Sequence, residues 1–107
     1  MSKQTTKRTL RVIFTKSRII EFGGIHTDAL KPLLEWYKIV SQADWSNIND
    51  VKQTFNSVDY VGDERFVFNV KGNHYRLIAL VKFSKRTIFI KFIGTHAEYD
   101  KVDARYI

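Results

Sequence analysis

The sequence predicts an α+β domain: N-terminal helices packed on one face of an antiparallel β-sheet meander, with a short C-terminal helix. Three observations predict it. Apolar residues recur at helical spacing over residues 28–43. From residue 65 the period changes to the alternation of a strand, first in "RFVFNV". Turn signals then separate the alternating runs, Gly72–Asn73 and "SKRT" at 84–87.

The elements follow in chain order. Residues 1–9, "MSKQTTKRT", read as a loose basic arm, and 10–107 as a single domain. Arg11 to Phe14 is a short β-prone segment. Residues 16–22 suit a short helix that stops at the breaker pair Gly23–Gly24. Thr27 or Asp28 offers an N-cap for the next helix. Its apolar stripe is Leu30, Leu33, Leu34, Tyr37 and Val40, and Lys31, Glu35, Lys38 and Gln42 line the polar side. Pro32 sits near the edge of the first turn, where a missing N–H costs least. Asp50 to Phe55 suits a further short helix.

The meander runs over residues 65–94, and its register can be worked out. With Gly72–Asn73 as the turn, Val70 faces Tyr75 and Asn69 faces Arg76. With the next turn centred on Lys85–Arg86, Phe83 faces Ile88 and Arg76 faces Thr95. One sheet face, from Phe66 to Phe92, is then wholly apolar or aromatic and needs the helices as cover. The other face mixes Arg76, Lys82, Lys91, Asn69 and Thr95 with Ile78, Leu80, Phe89 and Ile93, which suggests a shallow groove.

Eighteen Lys and Arg oppose eleven Asp and Glu, giving a formal charge of +7 and a pI near 9.8. That field favours an anionic partner, and nucleic acid is the commonest one. There is no cysteine, so disulfides and thiolate metal sites are excluded. No stretch reaches the roughly 20 apolar residues of a membrane helix, and the N-terminus lacks a secretory pattern. The expectation is a cytoplasmic protein without a membrane partner.

Arg76 can fork onto a phosphate with Asn69 orienting it, or it can make an ordinary surface ion pair. Lys91 can add charge beside a phosphodiester, or stand as an exposed strand lysine. His96 follows the last strand, and histidine is the side-chain type suited to proton transfer near neutrality. Glu98, Tyr99 and Asp100 follow within a turn of chain. "THAEYD" also has the spacing of a capping box, with Thr95 as N-cap and Glu98 three residues on. His26 and His74 read as surface residues. No nucleotide-binding glycine loop appears, and the histidines are too scattered for a metal site, so no cofactor or metal is expected. Arg, Lys, His and Tyr remain. That set suits metal-free phosphodiester transfer within RNA, in which the 2′-hydroxyl is the nucleophile.

Four stretches, "ADW" (43–45), "DVKQTF" (50–55), "VFNVKGNHYRLIALV" (67–81) and "FIGTHAEYDKVDA" (92–104), resemble the HigB family of type II toxins. "FNVxGNxYRL" and "THAEYD" are the most specific pieces. The resemblance implies a RelE-like fold and a ribosome-dependent endonuclease acting on translated mRNA. It also implies a cognate, HigA-like antitoxin with a helix-turn-helix. The family motif positions fall on Asn69, Gly72, Asn73, Arg76, Thr95, His96, Glu98 and Tyr99. Lys71 departs from the small residue common there, and "EFGGIH" is less helical than the family pattern. The reading is that Arg76, His96, Tyr99 and Lys91 carry the chemistry, while Asn69, Lys71, Asn73, Thr95 and Glu98 bind RNA. The alternative is a non-catalytic RNA- or ribosome-binding module.

Overall fold

The structure is a computed structural model that describes residues 11–13, as backbone, and 16–107. The expected basic arm and Phe14 lie outside the described residues. In chain order the elements are β1 (Arg11–Ile13), α1 (Lys16–Ile25), α2 (Thr27–Ser41), α3 (Ile48–Thr54), β2 (Asp59–Gly62), β3 (Arg65–Val70), β4 (Tyr75–Lys82), β5 (Thr87–Thr95) and α4 (His96–Tyr99). The strands form one sheet in the order β1-β5-β4-β3-β2. β1 runs parallel to β5, and the other pairs are antiparallel. No described helix is long and apolar enough to cross a membrane.

The helices cover one sheet face as expected. Ile19, Leu33, Trp36, Val40 and Val51 meet Phe66, Phe68, Leu77, Val81 and Ile88 in the main core. Each such side chain contributes about 1.5–3 kcal/mol by leaving water. The inward stripe of α2 is Ala29, Leu33, Trp36 and Val40. It is rotated from the expected one, and Leu30, Leu34 and Tyr37 sit at the border.

Three helix boundaries differ from expectation. Gly23 and Gly24 do not end α1, which runs on to Ile25. Gly23 is buried against α2: a Cβ there would lie 2.6 Å from Leu30 Cδ1 and 2.9 Å from Leu30 Cβ. The glycine lets two helices touch, and that contact outweighs its weak helix propensity. Thr27 and Asp28 lie inside α2 rather than capping it. Pro32 lies further into the helix than expected, so the carbonyl of Asp28 lacks its usual i+4 amide. α3 starts at Ile48, earlier than expected, because Asn47 accepts the Asp50 amide at 3.0 Å. β2 was not foreseen.

The β3–β4 register is as expected, with Val70 opposite Tyr75 and Asn69 opposite Arg76. The β4–β5 register is not. The turn leaves Val81, not Phe83, opposite Ile88, and a bulge falls between Ile78 and Ala79. Lys91 is the extra residue and has no partner on β4. Beyond it Arg76 faces Gly94, and Thr95 faces Tyr75. The bulge also exchanges two side chains. Ile93 packs with the main core. Phe92 joins a second cluster on the opposite face, with Val67, Ile78, Ala104 and Tyr99. The segment after α4 therefore covers part of the face expected to be an open groove.

Candidate functional site

The site is built on the turn between β3 and β4. The His74 amide donates to the Lys71 carbonyl at 3.2 Å. Lys71 and Gly72 adopt positive φ, 52° and 62°. Glycine takes that conformation freely; a lysine needs holding. Lys71 Nζ donates to Asp28 Oδ2 at 2.7 Å, and the Tyr75 hydroxyl donates to Asp28 Oδ1 at 2.5 Å. These two hydrogen bonds, from Lys71 first, hold the Asp28 carboxyl down at a pKa of about 2. The bond to Asp28 raises the Tyr75 phenol in turn. Phe22 and His26 meet the Tyr75 ring edge-on at 5.6 and 5.5 Å.

Arg76 is half-buried next to this turn. Its Nη1 donates to the carbonyls of Asn73 at 3.3 Å and Tyr75 at 3.4 Å. Its guanidinium carbon lies 5.7 Å from the Tyr99 ring centroid. A cation–π contact of this kind is worth roughly 0.5–1 kcal/mol, enough to bias the rotamer. Asn69 stands opposite Arg76, but its amide donates to the Ser57 carbonyl at 3.4 Å. It ties β3 to the segment before β2, and Arg76 is oriented by carbonyls of the turn instead.

α4 returns the chain to the sheet. Thr95 Oγ1 accepts the Glu98 amide at 3.2 Å, and Glu98 Oε1 accepts the Thr95 amide at 2.8 Å. The capping box is complete, so both side chains serve the helix start. Gly94 makes room beside it for the Phe92 ring and the Glu98 carboxylate. A Cβ there would lie 2.4 Å from Phe92 Cζ and 3.0 Å from Glu98 Oε1.

The bulge aligns two histidines. The His96 amide donates to the His74 carbonyl at 3.2 Å, one step beyond the Tyr75–Thr95 pair. Without the bulge, the register set at the turn would have put His74 against Thr95. His96 is exposed, with Nδ1 3.4 Å from Asp100 Oδ2. His74 Nδ1 is 2.9 Å from the Lys71 carbonyl. A carbonyl only accepts, so Nδ1 carries the proton and, in the neutral ring, Nε2 is left able to accept one. His74 was missed by the sequence because only the bulge brings it beside His96.

The fold thus brings Arg76, Tyr99, Asn73, His74 and His96 to one end of the sheet. It does not bring the side chains of Lys71 or Lys91 there. Lys71 turns to Asp28. Lys91 is separated from Gly94, the partner of Arg76, by about 10 Å of strand, and lines an edge groove with Arg18 and Glu21. Among the described residues no group of His, Asp and Glu is placed to hold a metal ion.

Helices on one face of an antiparallel sheet, with this cationic end and short C-terminal helix, define a RelE-like α+β domain. The family model for the HigB toxin, the RelE-like toxic component of a toxin-antitoxin system, matches residues 29–102. The mRNA interferase HigB of Escherichia coli O6:H1 is 32% identical over 96 residues, 88% of this chain and 93% of that protein. The mRNA interferase HigB of Shigella flexneri is 42% identical over 53 residues, 47% of this chain and 50% of that one. The chain belongs to the HigB toxin family.

Proposed function

We propose that this chain is an mRNA interferase that cuts translated mRNA on the ribosome without a metal ion, and so inhibits translation. The observation that carries the reading is the Arg76 guanidinium, held by the carbonyls of Asn73 and Tyr75 over the Tyr99 ring with His96 and His74 on the adjoining backbone pair. The names of the relatives support the substrate class.

In this mechanism the RNA 2′-hydroxyl attacks the adjacent phosphorus. The new O2′–P bond forms as the P–O5′ bond breaks, leaving a 2′,3′-cyclic phosphate and a 5′-hydroxyl. Arg76 neutralises charge growing on the phosphoryl oxygens. One proton leaves the 2′-hydroxyl and one reaches the departing 5′-oxygen. His96 takes one of these transfers, and Tyr99 or His74 the other. Asn69, Asn73, Thr95 and Glu98 shape the surroundings, largely through their structural bonds. The cognate antitoxin is a HigA-like helix-turn-helix protein, and the site of action is the cytoplasm, where translation occurs.

The test is primer extension on a defined mRNA in a reconstituted translation reaction. New ends with wild type and ribosomes, absent with Arg76→Ala or without ribosomes, are expected. No cutting by folded wild type would turn the reading to a binding module without catalysis.

A further inference from the structure

A groove of 320 Å³ lies where α1 meets the second half of β5. Among the described residues β1 pairs with Thr87–Phe89 alone, so no strand covers that edge of β5 further on. Phe22, Ile25 and Phe92 give the groove apolar walls, Arg18 and Lys91 give it two cations, and Glu21 is its one carboxylate. Arg18 is anchored: Nη1 donates to the Ile90 carbonyl at 2.8 Å, and a guanidinium has further N–H groups to offer. Lys91 stands in the bulge, so its place in the groove follows from the same irregularity that moves it away from Arg76. Ile25 is 75% exposed.

Phe92 links the groove to the site. It lines the groove, crosses Gly94 opposite Arg76, and shares an apolar cluster with Tyr99. Aromatic walls take a base of any identity, and the two cations match a phosphate. Glu21 offsets one of them, which leaves the balance positive.

We infer that the groove is a subsite for a nucleotide flanking the scissile phosphate. The base packs against Phe22 and Phe92, and Lys91 with Arg18 takes the flanking phosphate. The inference rests on the RNA reading above, but not on cleavage.

The experiment is fluorescence anisotropy of a labelled short single-stranded RNA at low salt. It compares wild type with Ile25→Glu, Ile25→Lys and Lys91→Gln, each with its melting curve. Ile25 is exposed, so its variants keep the fold. Ile25→Glu is expected to weaken binding about fivefold and Ile25→Lys to tighten it. Lys91→Gln is expected to reduce the log–log salt slope by about 1. Equal affinity in both Ile25 variants with an unchanged Lys91→Gln slope overturns the subsite, as does a wild type that binds no RNA. Cleavage on ribosomes, measured in parallel, is a separate readout. Binding that follows the expected pattern without cleavage keeps the subsite and removes the nuclease reading. Cleavage with indifferent Ile25 and Lys91 variants does the reverse.

Discussion

The hydroxyl of Tyr75 donates to the carboxylate of Asp28 at 2.5 Å, joining β4 to a helix 47 residues earlier in the chain. The same carboxylate takes Lys71 at 2.7 Å. One side chain of α2 therefore clamps both ends of the β3–β4 turn. The carbonyls of that turn, at Asn73 and His74, hold Arg76 and the backbone of His96. This is why Asp28, a good N-cap by residue type, does not cap: its oxygens are engaged by the sheet.

The clamp makes stability depend on acid. Asp28 has a folded pKa of about 2, below its ordinary value of about 3.9. As pH falls the unfolded chain binds this proton first. The contribution is therefore complete above about pH 4 and lost as pH drops through about 2. Asp28→Asn is expected to melt at lower temperature than wild type at neutral pH, and to lose less of its melting temperature between those limits. Circular-dichroism melts across the range check this; parallel curves would refute it.

Arg76 is expected to act on the transition state. Arg76→Ala is expected to slow cleavage by about 10²–10³-fold, and Arg76→Lys to restore little of it, because a lysine lacks the further N–H groups that leave a guanidinium free to grip a phosphate while Nη1 holds the two carbonyls. Asp28→Asn, acting only through the turn, is expected to lower the cleavage rate constant less, with KM little changed. Single-turnover rates on ribosome-bound message separate these effects.

The histidine pair gives a third expectation. His96→Gln is expected to lower the rate by roughly 10²–10⁴-fold and to remove one limb of the pH–rate profile. His74→Gln is expected to flatten the opposite limb. Two variants that retain the wild-type profile would move proton transfer to Tyr99.

Adjacent glycines in α1 predict opposite outcomes. Gly23→Ala places a methyl against Leu30 and its backbone, so it is expected to cost about 1–3 kcal/mol. Gly24 has open space around its Cβ position, so Gly24→Ala is expected to stabilise by roughly 0.5–1 kcal/mol. Urea midpoints of the two variants decide it.

The helix-then-meander order, the β3–β4 register and the "THAEYD" capping box were legible in the residues alone. Each depends on local chemistry: a change of apolar period, a Gly-Asn turn, a threonine three residues before a glutamate. The sequence also supplied the residues of the family motif, Arg76, His96 and Tyr99 among them. How they meet depends on contacts between distant elements. The bulge at Lys91 shifts β5 by one residue, and with a side-chain period of two a single residue exchanges faces. That shift sets Gly94 under Arg76, His96 beside His74, Phe92 toward Tyr99 and Lys91 into the edge groove. Gly23 and Asp28 changed roles for the same kind of reason. A helix breaker became a helix contact, and a cap became a clamp, because the partners that engage them, Leu30, Lys71 and Tyr75, come from other elements and no local window contains the packing between them.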